Sequence, residues 1–257
     1  MKLVAVLLCL PILGQAADEG KPVIDDAIAA LGGPNFLALH NRVESGRAYS
    51  FYRERLSGLS IATIYTEYLD PAPAKSLAIR QRQAFGKKQD YSILFLEDQG
   101  YEITFRGARP LPDERWKRYA TGVETNILYI LRTQHDNKSF SYDFVRSDVM
   151  SNTHVNIVDV TDPENRTVRV YFDYNTKLPI RQEYSEWDPV GRQKATDVTT
   201  YSKYRAAGGL QLPYVTQREH NGEVEYQIFA DDVQANSKLP DKTFELPSGI
   251  KVLAKPN

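Results

Sequence analysis

The feature that most constrains this chain is an alternation of apolar and polar residues with a period of two, which begins near residue 47 and recurs along the sequence. Successive side chains of a β-strand point to opposite faces of the sheet, so this alternation predicts strands with one buried face. Turn signals separate the runs at residues 174–177, 188–191, 208–209 and 221–222. We therefore expect about ten or eleven antiparallel strands.

Two segments have helical spacing instead. Residues 23–31 place Ile24, Ile28 and Leu31 on one stripe, and Gly32-Gly33 ends this helix before a shorter one opened by Pro34. Within residues 112–134, Asp113 can cap a helix whose apolar residues recur at helical spacing over about five turns. Those residues are Trp116, Ala120, Val123, Ile127 and Ile130 or Leu131. The sequence thus predicts an N-terminal helix and one long inserted helix.

The first sixteen residues, MKLVAVLLCLPILGQA, have the composition of a secretory signal. A charged start at Lys2 precedes a short apolar run, and small residues lead to a predicted cleavage after Ala16. The alternatives are a buried helix or a membrane anchor, but the run is far shorter than the roughly 20 residues of a spanning helix. Cys9 is the only cysteine, and large leucines precede it, so we expect a soluble periplasmic protein without a lipid anchor.

No repeat, low-complexity tract or linker divides residues 17–257, which we interpret as one domain of the mainly β class. A single sheet of ten or more twisted strands must curl, and a curled sheet encloses either a packed core or a lined cavity. The formal net charge of −1 gives no overall field that would attract nucleic acid, so none is expected as a partner. Partners must be sought in local features.

Motifs for chemistry are missing from the sequence. The four histidines are scattered, and there is no nucleophile elbow, no P-loop and no dinucleotide fingerprint. We predict neither an enzyme nor a bound metal or cofactor. An enzyme whose site is assembled from distant strands leaves no local motif, and it remains an alternative.

The aromatic content is high, with 16 Tyr and 10 Phe, many of them in the alternating runs. Aromatic residues favour strands and fill cores, which accounts for most of them. We nevertheless expect six to share the concave face of the curled sheet as ligand-binding residues: Tyr49, Phe51, Tyr65, Phe95, Tyr101 and Phe105. The inserted helix would cover them as a lid through Trp116, Val123, Ile127 and Leu131.

Residues 168–189, VRVYFDYNTKLPIRQEYSEWDP, resemble the signature hairpin of the periplasmic lipoprotein-sorting carriers of the LolA/LolB-like family. In that hairpin a strand ending in Phe-Asp runs through a turn with Thr to Leu-Pro and a basic residue. Here these are Phe172-Asp173, Thr176, Leu178-Pro179 and Arg181. Residues 201–228 resemble the next strand pairs of the family, and LPDKTFELPSG at 239–249 resembles its closing segment.

This resemblance extends over about residues 140–250, and it implies both a fold and a function. The fold is an incompletely closed antiparallel β-barrel whose apolar concave face is covered by helices. The function is to carry or bind an amphiphile, either lipoprotein acyl chains or a lipid, as a monomer that can exchange cargo with membrane-bound donor and acceptor proteins. A non-transporting binding or scaffold protein of the envelope is the alternative.

Overall fold

The computed structural model describes residues 19–70, 76–188 and 191–256, so the predicted signal at 1–16, with Cys9 and Ala16, lies outside the described residues. The helices of the described part are α1 (Lys21–Leu31), α2 (Pro34–Leu37), α3 (Asp113–Glu124) and α4 (Ile127–Thr133). The strands before α3 are β1 (Asn41–Tyr52), β2 (Arg55–Tyr68), β3 (Ile79–Phe85), β4 (Tyr91–Phe95), β5 (Gly100–Thr104) and β6 (Gly107–Pro110). Those after α4 are β7 (Ser141–Met150), β8 (Thr153–Thr161), β9 (Thr167–Asp173), β10 (Pro179–Asp188), β11 (Gln193–Ala207), β12 (Leu210–His220) and β13 (Glu223–Ala235).

The thirteen strands form one antiparallel sheet in the order β6-β5-β4-β3-β2-β1-β13-β12-β11-β10-β9-β8-β7. Two meanders, β1–β6 and β7–β13, are joined at the centre, where β1 pairs with β13 from Arg42↔Ala235 to Ser50↔Tyr226. The sheet is not closed into a barrel, and β6 and β7 are its edges. The predicted fold class, a mainly β protein with an incompletely closed antiparallel barrel, is confirmed.

The strand count is thirteen, above the ten or eleven expected. The sequence interpretation missed β3 and β6. The β3 sequence IRQRQAF places arginine and glutamine on successive positions, so no apolar face is visible although neighbours flank the strand on both sides. The β6 sequence GARP has only four residues and ends in proline, which is tolerated at a sheet edge.

The N-terminal helix α1 packs on the concave face of the sheet, as its stripe predicts. Ile24, Ile28 and Leu31 are buried, and Ala27 joins them on the same side. They belong to the main hydrophobic core, which also contains α4 and the aliphatic residues of β8 and β9. Helix α1 therefore fills one part of the concave face.

The inserted segment forms two helices and not the single long helix expected. α3 ends at Glu124 and α4 begins at Ile127. Asn126 adopts an extended conformation between them, and its side chain accepts a hydrogen bond from the Tyr129 N–H, which is the normal N-cap arrangement. The cap at Asn126 starts a new helix axis, so the predicted stripe of Trp116, Val123, Ile127 and Leu131 is divided between two helices.

The C-terminal segment of the described chain packs along one edge strand of the sheet, β6. The C-terminal segment covers β6 by a parallel bridge between Ala108 and Val252, and the Lys251 carbonyl accepts from the Ala108 N–H at 2.9 Å. Gly107 has a φ of 135°, and a Cβ there would lie 2.4 Å from the Lys251 oxygen, so glycine is needed at this contact. The inserted segment links β6 to β7, and α3 and α4 thus run from one sheet edge to the other.

Candidate ligand cavity

One row of facing residues shows how the concave face changes across the sheet. From β13 to β7 the successive partners are Tyr226, Arg218, Thr199, Gln182, Val170, Val158 and Phe144. Residues directly opposite each other in neighbouring strands lie on the same face. The row begins with polar and amphipathic side chains on β13 to β10 and becomes apolar on β9 to β7. The concave face therefore has a polar part and an apolar part.

The polar part continues on the other side of the central pairing. Glu44 on β1, Ile64 on β2, Gln83 on β3 and Ile93 on β4 face one another in a second row. A cavity of about 400 Å³ lies between these rows, with α3 and α4 also contributing to its wall. Sites for small ligands usually measure about 300–1,000 Å³.

Helix α3 forms the outer wall of this cavity, and none of its residues is fully buried. Tyr119 stacks on Phe95 of β4 with ring centroids 3.6 Å apart and planes inclined by 7°. Trp116 lies beside this pair, 5.6 Å from Tyr119 between ring centroids. Trp116, Tyr119, Ala120 and Val123 pack against the main core but are only partly buried, so α3 is attached to the sheet less extensively than α1 and α4.

Ion pairs link α3 to the second meander, β7–β13, and to the C-terminal segment. Arg118 donates to Glu225 of β13 at 2.6 Å, and Glu124 accepts from Arg166 in the β8–β9 turn at 2.6 Å. Asp113 at the start of the helix pairs with Lys255. Ion pairs at solvent-exposed positions contribute only about 0–1 kcal/mol each. They position α3 on the sheet and contribute little to its stability.

The junction between α3 and α4 is held by Gln182 of β10, which is 5% exposed. Its side-chain oxygen accepts from the Ile127 N–H at 2.8 Å and from the Tyr201 hydroxyl at 2.7 Å. Its amide nitrogen donates to the Thr125 carbonyl at 2.9 Å. A single side chain thus satisfies the backbone groups that the helix break leaves free.

A buried ion pair lies on the cavity wall. Arg42 and Glu44 of β1 are 2.8 Å apart, with side chains 15% and 7% exposed. Burial, the largest single influence, acts to lower the pKa of Arg42, but the Glu44 carboxylate and the neighbouring Tyr68, Tyr201 and Tyr204 together outweigh it, and the pKa of Arg42 is raised. This pair places charge inside a cavity whose neighbouring wall is apolar at Ile64.

Tyrosines supply much of the rest of the wall: Tyr68, Tyr119, Tyr129, Tyr184, Tyr201 and Tyr226. Burial raises the pKa of Tyr226 and of Tyr184 to about 12, so these rings are neutral hydrogen-bonding groups at ordinary pH. Arg218 lies beside Tyr226 on the same face and forms no ion pair with any described residue. The cavity can therefore accept a ligand with both an apolar and a polar part.

Of the ten residues predicted to bind ligand, the structure places Phe95 and Val123 on the cavity wall. Trp116 packs next to that wall against Phe95, with ring centroids 6.4 Å apart. Ile127 and Leu131 are fully buried in the main core and do not line the cavity. In the structure they belong to the core with the rest of α4, and their role in a lid stays a prediction.

Four of the strand aromatics lie away from the concave face. Tyr49, facing Leu59, and Tyr65, facing Arg82, alternate with the cavity residues and belong to the convex face. Tyr101 is also on that face, beneath the C-terminal segment. Phe105 is 89% exposed in the β5–β6 turn. A period of two separates two faces without saying which is concave, and here most of the larger rings were assigned to the wrong one.

Phe51 lies near the end of β1 and pairs with Leu56 after a register shift. The structure thus does not bring the six aromatics together. The functional candidates that sequence reasoning missed are Arg42, Glu44, Gln182 and Arg218. The one available signal was the polar run of β3, since Gln81 and Gln83 face the cavity from the interior of the sheet.

In residues 19–70, 76–188 and 191–256, no three His, Cys, Asp or Glu side chains come together in a group that could hold a metal ion. Among the helices of the same ranges, none combines the length and apolar character needed to cross a membrane.

The sequence matches no family model and no curated protein. Its structure, however, resembles several solved structures. A DUF1329 family protein from Desulfovibrio piger has a TM-score of 0.60 at 11% identity, over 88% of this chain and 97% of that one. A proposed outer membrane lipoprotein-sorting protein domain from Vibrio parahaemolyticus has a TM-score of 0.59 at 8% identity, over 89% and 97%.

A LolA superfamily protein from Nitrosomonas europaea has a TM-score of 0.52 at 13% identity, over 88% of this chain and 96% of that one. Identities this low show the shared fold alone. The class that the fold defines is the open, helix-covered antiparallel sheet of LolA-like proteins. The resemblance of the hairpin at 168–189 to the LolA/LolB-like pattern thus led to the correct fold.

Proposed function

We propose that this protein carries or binds an amphiphile in the cell envelope, with the ligand held in the cavity beneath α3. The supporting observation is a cavity of about 400 Å³ on the concave face of an open sheet, covered by a helix with no buried residue. The fold shared with a LolA superfamily protein and a proposed lipoprotein-sorting domain agrees with this function. The ligand would be a lipid or the acyl chains of a lipoprotein.

The physical need for such a carrier follows from the hydrophobic effect. At about 0.8 kcal/mol per CH₂, exposing a sixteen-carbon chain to water costs on the order of 10 kcal/mol. Transfer between membranes therefore requires an enclosed site and a cover that opens. This function needs no catalytic group.

The mixture of polar and apolar side chains on the cavity wall favours an amphiphile over a purely apolar ligand. A purely apolar chain would leave Arg218, which forms no ion pair with a described residue, and the Tyr119 hydroxyl without polar partners, which is unfavourable in a closed site. An amphiphile can place its chain against Ile64, Ile93 and Phe95 while its polar part meets Arg218 and the tyrosines. We propose this orientation for the bound ligand.

The proposal includes export and location. Residues 1–16 would be cleaved after Ala16, and residues 17–257 would act as a soluble periplasmic monomer. Cargo would pass between membrane-bound donor and acceptor proteins. N-terminal sequencing of the protein isolated from the envelope tests the first step, and an uncleaved chain in the membrane pellet would contradict it.

Trp116 provides a direct test of ligand binding beneath α3. Trp187 is 65% exposed at the β10–β11 turn, and changing Trp187→Phe leaves Trp116 as the only indole. Titration with a long-chain fatty acid is expected to shift Trp116 emission and to alter its quenching by iodide, while a short carboxylic acid should do neither. Native mass spectrometry of the protein isolated from its own cells would identify the ligand.

Three outcomes separate the functions. A co-purified lipid with a Trp116 response supports a carrier with a moving cover. A bound lipid without any Trp116 response favours a static binding protein. If no amphiphile binds, the proposed function is wrong.

A further inference from the structure

Three hairpin turns lie next to one another along one edge of the molecule. They join β1 to β2, β3 to β4 and β5 to β6, and these six strands are consecutive in the sheet. Neighbouring strands are about 4.8 Å apart, so adjacent turns are separated by about 10 Å. We call their exposed residues the tip surface: Tyr52, Arg53, Arg55, Leu56, Lys87, Lys88, Phe105 and Arg106.

Large apolar side chains project from this surface into solvent. Phe105 is 89% exposed, Tyr52 66% and Leu56 57%. Single exposed apolar residues are ordinary on protein surfaces, but a group of them beside one another marks an interaction site. In the tip surface, Tyr52 and Leu56 lie beside each other at the β1–β2 turn, and Phe105 lies at the β5–β6 turn about 20 Å away, across the basic β3–β4 turn.

The same turns are rich in basic residues. Arg53, Arg55, Lys87, Lys88 and Arg106 are exposed, and none forms an ion pair with a described residue. Glu54 and Asp90 are the acidic residues at these turns. The next turn along the edge, between β12 and β13, is instead flanked by Glu219, Glu223 and Glu225. The positive charge is therefore local, although the whole chain is nearly neutral.

The β1–β2 turn keeps its charged residues in an unfavourable backbone conformation. Arg53 and Glu54 have φ values of 49° and 59°, as a two-residue turn of this type requires. The β12–β13 hairpin meets the same requirement with Asn221-Gly222, the favoured pair. The conformation disfavours arginine and glutamate, and an exposed arginine nevertheless occupies this turn of the tip surface.

We propose that the tip surface docks this protein on a membrane surface containing anionic lipids. Phe105, Tyr52 and Leu56 would enter the interfacial layer, and the five basic side chains would contact headgroup phosphates. Aromatic rings and cationic side chains are the groups that proteins use at this depth of a bilayer. The contact of each ring with its neighbouring arginine, 5.3 Å for Tyr52–Arg53 and 5.4 Å for Phe105–Arg106, places both groups together.

This inference stands on the surface and does not require a ligand in the cavity. The β12–β13 turn lies at the same end of the strands as the tip surface. Glu225, which follows this turn in β13, pairs with Arg118 of α3. A molecule docked by its tip surface would therefore bring these strand ends, with Arg118 of α3 beside them, towards the membrane.

The test is co-sedimentation of the protein isolated from its own cells with two kinds of vesicle. One contains phosphatidylcholine alone, and the other contains phosphatidylcholine and phosphatidylglycerol in equal amounts. We expect binding to the second and a marked loss of binding at high salt. The double variant Tyr52→Ser/Phe105→Ser and the double variant Lys87→Gln/Lys88→Gln should each weaken binding about tenfold.

Tyr174→Ser and Arg146→Gln are matched controls, since both residues are exposed and Tyr174, between β9 and β10, lies at the strand ends opposite the tip surface. They should leave vesicle binding unchanged, and circular dichroism should show that every variant is folded. Two results would overturn the proposal: wild-type protein that ignores both vesicles, or controls that lose as much binding as the tip variants. If the wild-type protein binds neither vesicle, the tip surface would instead be a contact site for a protein partner. A negative result here with a positive Trp116 titration would leave the proposed function intact.

Discussion

The two helices of the inserted segment follow each other directly, yet they use the concave face in opposite ways. In α4 the residues from Ile127 to Arg132 are all buried, whereas α3 has none that is buried. α4 belongs to the core that includes the valines of β8 and β9, and α3 lies across the polar part of the sheet. One segment of chain thus contains a structural helix and a cover.

This difference follows from the sheet and not from the helices alone. Val158 and Val170 offer a flat apolar surface that a helix can pack on, but Gln83, Glu44 and Arg218 do not. Polar side chains on the concave face therefore keep a helix from settling fully, and a cavity remains. The polar side chains of the cavity wall thus keep the cavity of this protein open.

Alkaline pH is expected to have the largest effect on the free energy of unfolding, because several buried tyrosines surround the cavity beneath α3. Burial raises the pKa of Tyr119 and Tyr201 above the ordinary value, and that of Tyr184 and Tyr226 to about 12. An unfolded tyrosine has a pKa of about 10. The folded state keeps its phenolic protons longer, so its stability is complete below about pH 10 and falls as the pH approaches 12.

Urea unfolding at a series of pH values measures this decline, with tyrosinate absorbance followed in parallel. A free energy of unfolding that stays constant between pH 9 and pH 11 would show that the cavity tyrosines are in contact with water.

The second comparison uses two leucines of α4. Leu131 is completely buried in the core, and Leu128 lines the cavity. Leu131→Ala should lower the free energy of unfolding by about 3–5 kcal/mol, because it creates a new void. Leu128→Ala only enlarges an existing space and should lower it by about 2 kcal/mol. Chemical denaturation compares them, and equal losses would mean that the cavity is closed in solution.

The third comparison concerns the junction of the two helices. Gln182→Ala removes three hydrogen bonds in a buried position, and we expect it to lower the free energy of unfolding by about 1–3 kcal/mol. It should also speed ligand exchange, measured by stopped-flow fluorescence of Trp116, since α3 loses its fixed end. Gln234→Ala on the exposed side of β13 is the control and should change neither quantity.

The smallest effect is expected from the free arginine of the cavity. Arg218→Gln should weaken the binding of a long-chain fatty acid anion about tenfold, equivalent to about 1.4 kcal/mol, because one charge-assisted contact is lost. The binding of a neutral monoacylglycerol should not change. Arg146→Gln, on the distant edge strand β7, serves as the control. If Arg218→Gln weakened the binding of both ligands equally, the headgroup of the bound ligand would not contact Arg218.

The sequence was sufficient for the fold because strands with one apolar face alternate visibly. The turn at Asn221-Gly222, the stripe of α1 and the hairpin at 168–189 all appear where they were predicted. The fold class could be inferred from those local patterns together with the family resemblance.

The site could not be inferred in the same way. Alternation places Tyr65 and Ile64 on different faces, and only the curvature of the sheet decides that Ile64 is inside. The interior positions of β3 are glutamines, which a search for apolar faces passes over. The break at Asn126 depends on a cap and on Gln182, which comes from a distant strand.

The pairing of β1 with β13 at the centre of the sheet has a consequence for how the molecule is assembled. Each half of the sheet is a meander of hairpins that can form locally, but the central pairing joins Arg42 to Ala235 from opposite ends of the sequence. Contacts between such distant residues form slowly, since a long loop must first be closed. During synthesis, the first meander must therefore wait with one edge of β1 unpaired, and we expect this interval to be the time when the chain most needs a chaperone.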